Sequence, residues 1–149
     1  MDLYPAAHAK GRIVMGGTCD SVGVGGCWMG GCFGPFTKKF GSGAVNILEA
    51  RVVLANGTLV VASKVSHPDL FFSIRGGGGG LAGVVTEFTV RSHRSPEYTS
   101  TAVFSATAGT LGECTALLSQ AMQMAADLAA PGQGLGLTHC GHKPDSETG

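Results

Sequence analysis

Two runs of glycine limit what this chain can become. One is spread over residues 11–43 and the other is packed into residues 76–83, with five glycines in a row at 76–80. Glycine in a helix interior is about 1 kcal/mol less favourable than alanine, and in a strand it leaves nothing to pack. Long regular elements through either run are therefore excluded, and clustered glycine means backbone brought close to something. In all, 25 of 149 residues are glycine, roughly 17% against the usual ~7%. No three-residue period accompanies them and there are only six prolines, so neither collagen nor Pro/Gly low complexity fits. The first run also holds Trp28, Met29, Phe33, Phe36 and Phe40, large apolar anchors that a flexible linker lacks. It reads as a compact loop with short helical turns.

Outside the glycine runs the pattern is mixed. Residues 12–15 form a short β-branched strand. Asn56-Gly57 between the Val/Leu-rich runs at 46–54 and 58–63 predicts an antiparallel hairpin, because both central turn positions favour positive φ. Pro68 opens a helix over residues 69–75, with Ser66 or His67 near the cap, and the five glycines end it. Residues 84–90 are a strand. The polar, proline-containing stretch 91–96 marks a module boundary, followed by a β-prone stretch at 99–106. Apolar residues at a three-to-four spacing then predict a helix over 110–129, and residues 130–149 form a loose tail with no periodic face.

Ten basic residues balance ten acidic ones, which argues against a partner held through nucleic-acid phosphates. A hydrophobic content of 44% excludes an acidic disordered tail. No apolar stretch is long enough for a transmembrane helix, and residues 1–11 lack a signal-peptide pattern. The five cysteines (Cys19, Cys27, Cys32, Cys114 and Cys140) are odd in number and show no Cys-x-x-Cys spacing. Reduced or specially used thiols are the expectation, and the compartment stays open.

Several motifs carry little. Gly78-x-Gly80-x-x-Gly83 matches the dinucleotide fingerprint, but a helix precedes it and a strand follows, the reverse of the Rossmann order. Gly34-Pro35-Phe36-Thr37-Lys38-Lys39 lacks the second glycine of a P-loop. His139-Cys140-Gly141-His142 offers ligand-type side chains without a second cluster, while His8, His67 and His93 are scattered, so no metal is expected. Asn56-Gly57-Thr58 is a glycosylation sequon that the hairpin turn accounts for.

The segment Gly16-Gly17-Thr18-Cys19-Asp20-Ser21-Val22-Gly23-Val24-Gly25-Gly26 is different in kind. Its glycines free successive backbone N–H groups to face one concavity, the nest that holds an anionic diphosphate. With no Lys or Arg in the segment, phosphate contacts would come from amides and hydroxyls. The competing explanation is a tight crossing of strands around a buried thiol.

Residues from about 16 to 91 resemble the second half of a vanillyl-alcohol-oxidase-type (PCMH-type) FAD-binding domain, most like its berberine-bridge-enzyme-like and oligosaccharide-oxidase branch. Four blocks carry the resemblance. They are Gly17-Thr18-Cys19 with Ser21-Val22-Gly23-Val24-Gly25-Gly26; Gly30-Gly31 through Phe33-Gly34-Pro35; the run from Asn46 to Gly57; and His67-Pro68-Asp69-Leu70-Phe71 with Arg75 and its glycines, ending at Gly83-Val84-Val85-Thr86-Glu87-Phe88. The resemblance implies an α+β fold, antiparallel strands with short helices, and FAD as cofactor. It implies a cofactor cradle at Gly17, Thr18, Cys19, Val22, Gly23, Gly25, Gly26, Val84 and Val85, with Cys19 where a thioether to the flavin can form. The implied divisions are a partial FAD-binding domain at 1–95, the first strand and helix of a substrate domain at 96–130, and a tail at 131–149. The parent protein would oxidise an alcohol, sugar or alkaloid-like small molecule, and this chain would be an internal piece of it without an assignable catalytic base.

The chain departs from the family at Asp20, where proline is usual, at Cys27, where histidine or an aromatic is common, and at Cys32, where a third glycine is common. Val45 replaces an acidic residue, which removes a polar anchor. Lys38-Lys39 is expected to be a solvated pair. Two other readings stay open: a remnant that keeps the fold without binding flavin, and a structural module in which 76–80 is only a hinge that ends a helix.

Overall fold

The computed structural model describes residues 3–80, 83–99 and 106–127, in two compact units, Met1–Glu97 and Tyr98–Gly149. In the first unit the elements run α1 (Leu3–His8), β1 (Arg12–Val14), α2 (Val24–Met29), α3 (Thr37–Phe40), a 3-10 turn (Ala44–Asn46), β2 (Ile47–Val53), β3 (Leu59–Ser63), α4 (Pro68–Ile74), β4 (Val84–Val90) and β5 (Ser92–Arg94). Strands β3, β2 and β4 form one antiparallel sheet in that order, and β1 pairs antiparallel with β5 in a second.

Asn56-Gly57 sets the β2–β3 register. Of the two turn residues expected at positive φ only Gly57 adopts it, at +80°, while Asn56 does not; the Gly57 N–H donates to the Leu54 carbonyl at 2.9 Å, and Val53 faces Leu59 and Ala50 faces Ala62. On the other side β2 meets β4 with register shifts between Ile47 and Glu49 and between Arg51 and Val52. The first shift puts an extra residue into β2, so Ile47 reaches the core together with Ala50 and Val52; the second puts one into β4. The opposite face is wet: Arg51 and Glu87 are cross-strand neighbours whose side chains pair at 3.5 Å in the open. That pair contributes about 0–1 kcal/mol.

The core of this unit joins Ile47, Ala50, Val52 and Ala62 of the sheet to Phe71 and Ile74 of α4 and Trp28 of α2. Trp28 donates from Nε1 to the Met15 carbonyl at 2.6 Å and meets Phe88 edge-on at 5.6 Å between ring centroids. One large side chain thus ties α2 to both the first strand's exit and the sheet, with its polar edge satisfied. Helix α4 begins at Pro68 with His67 at the cap in the left-handed region, φ +48°, and with no side-chain capping bond.

Residues 91–96 contain β5, a strand the sequence did not predict, and the first unit ends just after them at Glu97. Ser92–Arg94 is polar and lacks strand patterning, but Arg12 Nη2 donates to the Ser92 carbonyl at 2.6 Å and Ile13 faces His93. Tertiary pairing overrides composition here. Helix α1 was likewise not expected from the sequence.

The second unit contributes α5 (Leu111–Asp127), within the predicted range. Its start is a capping box: Thr110 Oγ1 accepts from the Glu113 N–H at 3.3 Å, and Glu113 Oε2 accepts from the N–H groups of Gly109 and Thr110 at 2.8 and 3.2 Å. The β-prone stretch lies almost entirely, and the tail from 131 wholly, outside the described residues, as does His139-Cys140-Gly141-His142. Among the described residues no helix is long and apolar enough to cross a membrane, and no three His, Cys, Asp or Glu side chains cluster as a metal site.

Candidate functional site

Chain leaving β1 passes Gly16 and Gly17, turns at residues 19–22 and enters α2. Gly34 returns across this exit so closely that a Cβ on it would collide with the Gly16 carbonyl, and a Cβ on Gly16 would collide with the Tyr4 hydroxyl. The tight crossing considered from sequence therefore exists at Gly16 and Gly34. It does not bury the thiol: Cys19 is exposed, three residues on.

Cys19 occupies the start of a turn in which the Val22 N–H donates to its carbonyl at 3.5 Å. Its Sγ lies 3.1 Å from Ser21 Oγ. The Ser21 hydroxyl hydrogen bond holds the Cys19 thiol below the ordinary thiol range, helped by the backbone N–H groups of Ser21 and Val22 and opposed by slight desolvation. A thiolate is the nucleophilic form of cysteine, so this turn supplies one at lower pH than a free thiol does.

Helix α2 follows at once. Gly23 is its N-cap, with extended φ −65°, ψ 129°, and the Cys27 N–H donates to the Gly23 carbonyl at 3.2 Å. The N–H groups of Val24, Gly25 and Gly26 come before that first bond and have no partner among the described residues.

The glycines of this stretch have no internal reason to be glycine. None of Gly17, Gly23, Gly25 and Gly26 has positive φ. A Cβ at Gly23 or Gly26 would meet nothing within 4 Å, and at Gly17 or Gly25 only ordinary contacts at 3.8 and 3.9 Å. Gly25 and Gly26 lie inside a helix, where each is about 1 kcal/mol worse than alanine. The empty shells over 23 and 26 suit a body approaching from outside the chain, and the unpartnered amides suit an anionic one. The residues therefore fit a diphosphate-bearing cofactor.

Of the nine expected cradle positions, Gly17, Thr18, Cys19, Val22, Gly23, Gly25 and Gly26 form one continuous, largely open ridge; Gly17 and Gly25 are half-buried and the other five exposed. Val85 packs against the same core as Val24. Val84 is exposed at the start of β4, opposite Val53, and no described contact joins it to the ridge. The link between ridge and sheet is Phe88, 3.9 Å from the Cβ position of Gly25. A cavity of about 330 Å³ opens beside Gly16 and Gly17, walled by Tyr4, Arg12, Pro35 and Phe36; it takes in only Gly17 of the nine.

Three features were not legible beforehand. The Gly78 N–H donates to the Met29 carbonyl at 3.0 Å, so the second glycine run docks on the end of α2. Cys27 and Cys32 are disulfide-bonded across α2 and the turn after it, and Cys114 is disulfide-bonded as well. The expectation of reduced thiols fails here, because spacing along the sequence does not reveal that the turn at Gly30-Gly31 folds Cys32 back to 4.7 Å from Cys27, Cα to Cα. The two departures at Cys27 and Cys32 are one structural feature.

Val45 is exposed and anchors nothing through its side chain. Its main chain is held instead: Arg75 donates from Nε to the Ala44 carbonyl and from Nη2 to the Val45 carbonyl, at 3.0 and 3.1 Å. Buried Asn46 gives its Nδ2 hydrogens to the Phe40 and Ser42 carbonyls and meets His93 Nε2 through Oδ1 at 2.8 Å. Lys38 and Lys39 are exposed as expected, with Lys39 Nζ 5.4 Å from the Phe40 ring centre.

Residues 1–63 match the family model of an FAD binding domain. A VAO-type flavoprotein of Myceliophthora thermophila superposes with a TM-score of 0.60 at 40% identity, over 61% of this chain and 17% of that one. Residues 1–63 thus match an FAD binding domain, and the described fold is similar to that of VAO-type flavoproteins. An FAD-linked oxidoreductase of Gibberella fujikuroi is 54% identical over 93 residues, 62% of this chain and 16% of the relative. Glucooligosaccharide oxidase of Acremonium strictum superposes with a TM-score of 0.58 at 38% identity, over 64% of this chain and 19% of that one. The chain thus spans about a sixth of the length of the curated relatives it matches. The α+β fold, FAD as the cofactor of this domain and the kinship with flavoprotein oxidoreductases stand as the sequence implied.

Proposed function

We propose that the ridge from Gly17 to Gly26 seats FAD, with Cys19 as its covalent attachment point, in a protein that oxidises an alcohol, sugar or alkaloid-like small molecule. The observation that carries this reading is the pairing of an exposed, acidified thiol with glycines that the chain's own packing does not require. The amides of Val24, Gly25 and Gly26 would hold the diphosphate, and Val84 and Val85 would close the sheet side. FAD, when bound, supplies a hydride acceptor that passes electrons to oxygen or another acceptor. The Ser21 hydroxyl, donating to the Cys19 sulfur, would stabilise the thiolate left when the proton departs. Attachment through cysteine has support in a relative: the Acremonium oxidase is described with a 6-S-cysteinyl, 8α-N1-histidyl FAD. Residues 1–95 belong on this reading to the FAD-binding domain, and 96–130 open the substrate domain.

Acid precipitation of the purified flavoprotein tests it. Flavin colour should stay with the precipitate in the native protein and pass to the supernatant in Cys19→Ala. Equal retention in both proteins would remove Cys19 from this role. A colourless native protein that takes up no added FAD would remove the cofactor assignment itself.

A further inference from the structure

We propose that Asn56 carries an N-linked oligosaccharide. The hairpin turn explains only part of the sequon. Asn56 and Gly57 are what the turn demands: Gly57 has φ +80°, and Asn56 Oδ1 accepts the Thr58 N–H at 3.0 Å. Nothing in the turn calls for a hydroxyl at 58. Thr58 contributes its backbone, accepting from the Leu54 N–H at 2.9 Å, while its Oγ1 makes no hydrogen bond among the described residues. Turn chemistry accounts for two of the three sequon residues and leaves the third unexplained.

The site is open. Residues 55–59 are all exposed, a Cβ on Gly57 would meet nothing within 4 Å, and Asn56 Nδ2 has no hydrogen-bond partner among the described residues. The chain's other asparagine, Asn46, is buried and its amide is fully engaged. The disulfides supply an independent observation. Cys27–Cys32 is closed and Cys114 is bonded too, a state that persists in oxidising compartments and is rare where thiols are kept reduced. Such compartments of eukaryotic cells are where asparagine-linked transfer occurs on Asn-x-Ser/Thr.

The transfer is balanced with no change of oxidation state. The donor is an oligosaccharide on a polyprenyl diphosphate. Asn56 Nδ2 forms a bond to the anomeric carbon, the carbon–oxygen bond to the diphosphate breaks, and the lipid diphosphate leaves. The displaced amide proton goes to a base of the transferase. A glycan at this tip would overhang Leu59, 55% exposed at the start of β3. Because β3 ends the sheet β3-β2-β4, the sugar would also guard an edge open to pairing with another chain.

Peptide mapping of the protein isolated from the cells that make it decides the matter. Trypsin cleaves after Arg51 and Lys64, releasing the peptide from Val52 to Lys64 with Asn56 inside. That peptide should be missing from an untreated digest. It should appear after peptide-N-glycosidase treatment in heavy-oxygen water, with Asp at 56 carrying the label. Full recovery of the unmodified peptide without glycosidase would overturn the proposal, and so would Asp at 56 without the label. In a secreting eukaryotic host Thr58→Ala should lose the sugar and Thr58→Ser should keep it. Because the readout is covalent, neither variant has to fold natively.

Discussion

The two glycine runs meet where Gly78 bonds Met29, yet they hold glycine for different reasons. In the second run the backbone itself demands it. Gly76, Gly78, Gly80 and Gly83 all have positive φ, and a Cβ on Gly83 would also strike the Val53 carbonyl. The first run is divided: Gly11, Gly31 and Gly41 also have positive φ, and Gly16, Gly34 and Gly43 lie against close neighbours, whereas Gly17, Gly23, Gly25 and Gly26 have ordinary dihedrals and room for a side chain. One run is glycine because of its own fold. In the other, the four glycines of the ridge are required by neither dihedral nor packing, and Gly25 and Gly26 stand against helix propensity, which is what the proposed cofactor would explain.

This contrast can be broken by substitution. Gly83→Ala should produce the largest loss, about 2–4 kcal/mol of fold stability from left-handed strain and the clash with Val53, read as an earlier denaturant midpoint. A destabilisation under ~0.5 kcal/mol would show that the second run is not conformationally required.

Opening the Cys27–Cys32 bridge with paired serines should cost about 2 kcal/mol, the loop-closure value for a five-residue separation. If stability held and flavin uptake fell, the bridge would belong to the cofactor side of the contrast rather than to the fold.

Ser21→Ala sharpens the first run. The pH midpoint for Cys19 alkylation should lie below that of an ordinary thiol, whose pKa is about 8.5, and should rise toward it in the variant. An unchanged midpoint would take Ser21 out of thiolate stabilisation.

The smallest effect concerns His93. Burial, then the charges of Arg91 and Arg12, hold its pKa below the usual value. The folded state therefore prefers neutral His93. Its contribution is whole above about pH 6.5 and is lost as pH falls from there through the folded pKa. In His93→Gln this part of the acid-side decline in stability should disappear. An unaltered pH profile would contradict it.

Much of the architecture was readable from pattern. Asn56-Gly57 fixed the hairpin, Pro68 fixed the start of α4, and apolar spacing located α5. Each is a local signal. What escaped was long-range: β5 is a strand because β1 lies beside it, and Cys27 finds Cys32 because Gly30-Gly31 reverses the chain. The ridge was legible as a cluster of glycines around a thiol. Ser21 as the thiol's partner and Phe88 as the ridge's link to the sheet follow from turn geometry and β4 register, which composition does not encode.

Gly26→Ala probes the central claim most directly, with two readings on one protein. The added methyl group enters open space inside α2, so without flavin the variant should match or exceed the native stability, by up to about 1 kcal/mol. FAD affinity should fall by about tenfold or more, equivalent to ~1.4 kcal/mol. A variant that gains stability and still binds FAD as tightly as the native protein would contradict the claim that this ridge is shaped for a cofactor.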